Sequence, residues 1–307
     1  MVYLISVVIP AFNRPQKMRR AVASVLGQKD LRPNELEIIV VDDASTPPLL
    51  LVDADPRVKI VRLTENKGPS GARNAGIRAT SGDYLAFLDS DDLWLPDKLA
   101  RQLALFKELE VKTDRSLLAL VCGFYYPNRV TRRLEARVPR SASRLSDFTS
   151  GCWFSPGSAL FLHRSAYDRI GLLDERLRRL EDLDWFIRFG QEGGQLHVLS
   201  CVGTVIAPSR SEDFDTVMHS SAIIEQKFSP SGAMPLPRSE WQRLRAYLAL
   251  EQGAALLLEG QRLKGLAYLL ASFWHKPRLQ AALEPFWEKS DEVPATVAEM
   301  YKQMSLG

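Results

Sequence analysis

The sequence predicts an α/β fold: an open, mainly parallel sheet with flanking helices over residues 1–210, then a helical C-terminal region over 211–307. Three observations lead there. Short apolar runs rich in β-branched residues recur through the first hundred residues, amphipathic helical stretches separate them, and from about residue 212 helical spacing stands alone. Strand alternating with helix is the pattern of parallel strands joined by crossover helices. The chain has 307 residues, 46% hydrophobic and 25% charged, which is enough for a large core and excludes a mostly disordered chain.

The elements follow in order. Residues 4–9 form a buried apolar strand. Met18, Ala21, Val22, Val25 and Leu26 then keep helical spacing behind Pro15, a residue suited to a first helical turn. Residues 36–41 and 58–63 read as the second and third strands. A Gly/Pro/Ser loop opens a short helix over 69–79, and 84–88 is the fourth strand. A helix over 96–109 places Leu99, Leu103 and Phe106 on one side. Residues 117–125 are a further strand, and 127–150 are basic, polar and irregular. Beyond them come a strand at 159–163, a helical turn at 165–170, a helix at 181–191 and a strand at 196–202. Leu244, Tyr247, Leu248, Glu251, Ala255 and Leu258 mark a long amphipathic helix, with further helices at 263–274 and 293–304.

Charge and composition narrow the function. Forty Lys and Arg against 37 acids leave a net charge of +3, too slight to make nucleic acid the partner. Three separated cysteines suit neither a disulfide framework nor a zinc site, and four histidines form no spaced cluster. The start lacks the basic region of a signal peptide, and no window approaches the roughly 20 apolar residues of a membrane span. The expectation is a cytoplasmic protein.

Open α/β sheets bind ligands beyond the carboxyl ends of their strands. Four polar groups stand there: Pro10-Ala11-Phe12-Asn13-Arg14, Asp42-Asp43-Ala44-Ser45, Asn66 to Asn74, and Asp89-Ser90-Asp91-Asp92. Acids crowded directly after an apolar strand repel one another unless a cation meets them. A divalent ion with carboxylate and phosphate oxygens around it is one answer. The other is that Asp91 and Asp92 cap the next helix. Asp43 and Ser45 also suit a plain turn, Phe12 a core position, and Lys67 a solvated cation. Gly68, Gly71 and Gly76 match no phosphate-loop pattern and fit close helix–strand packing better.

These runs, with Gly71-Ala-Arg-Asn-Ala-Gly-Ile and Asp83-Tyr-Leu-Ala-Phe-Leu-Asp-Ser-Asp-Asp-Leu-Trp, resemble the family-2 glycosyltransferases of GT-A fold. Gly171-Leu-Leu-Asp-Glu-Arg-Leu and Glu181-Asp182-Leu-Asp184-Trp extend the likeness to about residue 192. The resemblance implies a nucleotide-sugar half over about 1–110 and an acceptor half over about 111–210. It implies an inverting transfer from a nucleotide-sugar, with UDP favoured, to an acceptor hydroxyl in bacterial polysaccharide or lipopolysaccharide synthesis. It places Pro10, Ala11, Phe12, Arg14, Asp42, Lys67, Arg73, Asp89 and Ser90 around the nucleotide-sugar. Asp91 and Asp89 then face a metal, Mn²⁺ or Mg²⁺, with Asp91 as the direct ligand, and Asp182 is the base. Trp153 and Glu181 fall on the acceptor side, where Trp153 suits either a sugar face or the core. Relatives often carry a histidine ligand after the last strand of this half. Residues 208–212 have none here, leaving His219 as a substitute or as a surface residue.

Helix geometry bears on the acids of 181–184. At about 100° per residue Asp182 and Asp184 project about 200° apart, so one sugar cannot meet both. Asp184 and Glu181 then read as helix-start acids or partners of Arg179 and Arg188. Two other classes compete: a noncatalytic sugar- or nucleotide-binding relative, which would tolerate loss of these acids, and a nucleotidyltransferase, which would carry a glycine-rich loop after the first strand. Residues 10–14 contain no glycine. In the C-terminal region, Arg238, Arg243, Arg245, Arg262, Lys264, Lys276 and Arg278 intersperse apolar helices bearing Trp241, Phe273 and Trp274. That pattern suits a peripheral contact at the inner face of the cell membrane, a homodimer, or packing within the chain. A saccharide or lipid-linked saccharide is the implied acceptor.

Overall fold

The structure is a computed structural model and describes residues 3–50, 55–128, 133–207, 214–276 and 286–305. Its first half follows the sequence pattern closely. Strands β1 (Ile5–Ala11), β2 (Leu36–Asp42), β3 (Val58–Arg62) and β4 (Tyr84–Phe87) lie parallel in the order β4-β1-β2-β3. Helix α1 (Pro15–Leu26) links the first two and α2 (Gly68–Ala79) the last two. β1 and β2 are buried on both faces, as parallel strands between helices must be. Val7 and Ile9 pack with α1, while Val8 points to the other side, where α2 lies. Gly76 makes that approach close: a Cβ there would stand 2.3 Å from Val8 Cγ1. Gly76 therefore serves helix–strand packing, whereas Gly68 sits at a positive φ of 71° and Gly71 faces the Lys67 side chain.

The second half is mixed rather than parallel. It runs β5 (Leu93–Trp94), α3 (Lys98–Leu109), β6 (Leu118–Pro127), β7 (Leu134–Pro139), α4 (Leu145–Phe148) and α5 (Pro156–Ala159). Then come β8 (Phe161–His163), α6 (Ser165–Ile170), α7 (Glu181–Gln191) and β9 (Gln195–Val205). β8 joins the two halves by pairing antiparallel with both β4 and β6. β6 also pairs antiparallel with β7 and parallel with β9, and β9 turns back to β5. Strand β7 falls inside the stretch expected to be irregular. Leu134, Ala136 and Val138 alternate there, masked by the charges between them.

The remaining elements are α8 (Phe214–Phe228), α9 (Arg238–Leu258), α10 (Arg262–His275), β10 (Trp287–Ser290) and α11 (Ala295–Ser305). They pack against the elements that precede them. Ile224, Phe228, Leu244 and Leu248 of α8 and α9 share one core with Leu183 and Ile187 of α7. β10 adds an edge strand against β7, and Val297 and Met304 of α11 pack with Tyr125, Ala136 and Val205. The expected boundary at residue 210, the histidine-free stretch 208–212 and Arg278 lie outside the described residues. Among the described residues no helix is long and apolar enough to cross a membrane.

Candidate active site

Because β1, β2 and β4 are parallel, their following loops gather on one edge of the sheet. There they line a cleft of about 490 Å³ that includes Pro10, Ala11, Phe12, Arg14, Arg73, Asp89, Ser90 and Asp91. Phe12 is 43% exposed, so it is a cleft wall and not a core residue. Arg14 Nη1 donates to Asp91 Oδ2 at 2.8 Å.

Arg73 is the hub. It rises buried from α2 and divides its guanidinium between two acids, Nη1 to Glu181 Oε1 at 2.6 Å and Nη2 to Asp89 Oδ1 at 2.7 Å. Its buried Nε has no hydrogen-bond partner among the described residues. Burial alone would lower its pKa, but Asp89, Asp182 and Glu181 outweigh that and raise it further. One permanent cation thus ties the end of β4 to the start of α7.

Across this bridge lies a second, adjoining pocket of about 280 Å³. It shares Arg73, Asp89, Arg179 and Glu181 with the first and adds Asp182, Cys152, Ser155 and Tyr247. Burial pushes the Asp182 carboxyl up to about 7; Arg73 pulls it down, while Glu181 and Asp89 push it up. A carboxyl with that affinity can take up or release a proton near neutral pH. The backbone just before it is held in the left-handed region, with Leu180 at φ 64°. That conformation is costly for a leucine and persists only where packing fixes it; Leu180 is buried in the core shared with α8 and α9. Asp184 faces the opposite way, fully buried, and pairs with Arg188 Nε at 3.0 Å and Lys227 Nζ at 2.6 Å.

Four expected site residues lie elsewhere. Asp42 is fully buried and outside the cleft lining. It accepts from the backbone N–H groups of Ser45 and Leu49 and from Arg62, so it holds the turn together. Asp43 lines the cleft instead, accepting from the N–H groups of Lys67 and Gly68 at 2.7 and 2.9 Å. Lys67 contributes that N–H, while its exposed ammonium sits 3.9 Å from Glu65, away from the cleft. Trp153 is a core residue stacked on Phe286, with ring centroids 4.8 Å apart. His219 is exposed on α8 and lines neither pocket. Sequence reasoning missed Tyr247 and Arg178 as lining residues. The Arg178-Arg179 pair just before Glu181 was the available signal for the arginine.

Asp92 anchors the acid turn from below. It accepts from Ser158 Oγ at 2.5 Å and from the Ala207 N–H at 2.8 Å, and burial holds its carboxyl well above the usual range. Asp89 and Asp91 each spend one oxygen on an arginine, which leaves Asp89 Oδ2 and Asp91 Oδ1 without a hydrogen-bond or ion-pair partner among the described residues. A Cβ at Gly157 would stand 2.7 Å from Asp89 Oδ2, so only glycine leaves that oxygen clear. Two hard oxygens beside a cleft fit a divalent ion that draws its other ligands from phosphate and water. Among the described residues no cluster of three His, Cys, Asp or Glu forms a closed cage.

The parallel nucleotide-type half joined to a mixed second half is the GT-A architecture. TarS from S. aureus in complex with UDP superposes with a TM-score of 0.52 at 17% identity, covering 91% of this chain and 90% of that one. The family model for glycosyl transferase family 2 matches residues 6–171, and the chain belongs to that family. Among curated relatives, the succinoglycan biosynthesis protein ExoO of Rhizobium meliloti is 43% identical over 102 residues, 32% of this chain and 28% of its own length. An uncharacterized glycosyltransferase of Nostoc is 31% identical over 180 residues, 55% of this chain and 54% of its own. A third, from Escherichia coli, is UDP-Glc:alpha-D-GlcNAc-diphosphoundecaprenol beta-1,3-glucosyltransferase WfgD, 35% identical over 106 residues, 34% of this chain and 41% of its own. The chain thus matches between about a quarter and a half of the length of these relatives.

Proposed function

We propose that the chain transfers a sugar from a nucleoside diphosphate sugar, UDP favoured, to an acceptor hydroxyl with inversion at the anomeric carbon. The observation that carries this reading is the pair of adjoining pockets with Arg73 between them and Asp182 on the far side. The donor occupies the first pocket, its base and ribose against Phe12 and Asp43 and its diphosphate near Arg14. Asp89 and Asp91 would hold Mn²⁺ or Mg²⁺, which as a Lewis acid offsets the charge of the departing diphosphate. The acceptor enters the second pocket. Asp182 takes the proton from its hydroxyl, the oxygen bonds to the anomeric carbon, and the bond to the diphosphate breaks in the same displacement. Arg73 keeps Asp89 and Glu181 in register while this happens and supplies positive charge beside the leaving group.

The names of ExoO and WfgD support a setting in bacterial polysaccharide synthesis, and WfgD's name supports a lipid-linked saccharide as acceptor. Incubation with a panel of nucleotide-sugars and Mn²⁺ tests the reaction: turnover of a UDP-sugar is expected. Tight nucleotide binding without turnover of any donor would favour a noncatalytic sugar-nucleotide binder instead. Asp91→Ala is expected to abolish transfer and to remove the Mn²⁺-dependent part of UDP affinity, read by calorimetry. Unchanged affinity in that variant would rule out Asp91 as the metal ligand.

A further inference from the structure

Helix α10 turns an apolar face to solvent. At 100° per residue, Leu263, Leu266, Leu270, Phe273 and Trp274 fall within one arc of about 100°. Leu263 and Trp274 are each 86% exposed and Leu270 is 70% exposed. The opposite side of the helix is packed on α9. Ser272 Oγ donates to the Ala246 carbonyl at 2.7 Å, and a Cβ on Gly265 would stand 2.8 Å from Leu257. Tight packing behind the helix therefore fixes the apolar arc outward. Leu258, at the end of α9, is also exposed. Of the ten large hydrophobic side chains exposed among the described residues, seven lie between 257 and 274. Such a concentration marks an interaction surface.

Charge selects the occupant. Residues 262–275 carry Arg262 and Lys264 and no Asp or Glu, Lys276 follows directly, and Arg245 is exposed on the neighbouring helix. Four cations, Arg245, Arg262, Lys264 and Lys276, against the single exposed acid Glu259 at the end of α9 complement an anionic bilayer surface, with leucines and aromatics at the acyl boundary and cations at the phosphates. A fully exposed Trp at one end of the arc suits the same interface. A second copy fits less well. Two-fold pairing through α10 would bring its cations beside those of the other copy with no acid on the helix to offset them.

We propose that α10 docks the protein on an anionic lipid bilayer, leaving α9, which carries Tyr247 into the second pocket, between that surface and the site. Co-sedimentation of the full chain with vesicles reads this directly. Binding is expected to vesicles of phosphatidylcholine mixed with phosphatidylglycerol, to weaken with salt, and to be far weaker on phosphatidylcholine alone. The double variant Leu270→Glu, Trp274→Glu should keep the wild-type melting temperature, since both side chains are exposed, yet bind at least about tenfold more weakly. Equal binding by variant and wild type, or no preference for phosphatidylglycerol, would overturn the proposal. So would a wild-type dimer in sedimentation equilibrium that the variant dissociates while neither binds vesicles; the face would then belong to a second copy. The assay needs no donor, so its failure leaves the transfer reaction standing.

Discussion

Two acids two positions apart on α7 have opposite employments. The Asp182 carboxyl, raised from 3.8 to about 7, keeps a proton in the folded chain that the unfolded chain has released over that window. Stability contributed by this site is therefore lost as pH rises from about 4 to about 7. Asp182→Asn should melt higher than wild type at neutral pH, bind donor normally and lose at least about a hundredfold in transfer. The wild-type kcat/KM should climb through about pH 7, and the variant should lose that limb. Asp184→Asn should do the reverse: transfer little changed, melting temperature lowered, because Arg188 and Lys227 lose the charge they share. A dead Asp184→Asn and an active Asp182→Asn would reverse the assignment. In the sequence, helix geometry said that the two acids could not share one sugar, and the family resemblance chose Asp182. The sequence could not separate Asp42 from Asp43, because adjacent residues at a strand end point to opposite sides, and one residue of register decides which meets the cleft.

At the scale of elements, the cleft depends on how closely α2 lies on β1. Gly76→Ala would drive a methyl group into Val8, 2.3 Å from its Cγ1, and lift the helix that carries Arg73. A loss of about 1–3 kcal/mol is expected from chemical denaturation, the range for overpacking. Val8→Ala in the same chain should restore part of it, and no recovery would mean that the strain is not at this contact. The helices and strands of the first half were legible because hydrophobic period and turn residues mark each one within its own stretch of sequence. Trp153 was not. Its surroundings are set by Phe286, more than a hundred residues away, and nothing near residue 153 announces that partner. Tyr247 is the same case in reverse, a residue of a late helix brought to an early site.

For the whole molecule, α8 and α9 share a core with α7, and α9 brings Tyr247 to the second pocket. Removal of residues 238–307 would uncover Leu177, Leu180, Leu183 and Ile187, which α9 helps to bury. The truncated chain is expected to lose cooperative unfolding or to aggregate, and the full chain to melt in a single transition followed both by near-ultraviolet circular dichroism and by calorimetry. Two resolved transitions in the full chain would show that the two parts fold independently. The sequence suggested a boundary near 210 because hydrophobic spacing changes there. A change of period reports the type of element and says nothing of which core it enters.

The left-handed turn at Leu180 makes the aim of Asp182 a property of a distant core. A glycine would adopt that turn without cost but would give up the side chain that the leucine buries in one core with Ile224, Phe228, Leu244 and Leu248. The acid therefore sits at the short arm of a lever whose long arm is α9, with α10 packed behind it. Whatever tilts that pair, whether a surface it rests on or a substitution far from any substrate, would be felt first as a change in the direction of one carboxylate.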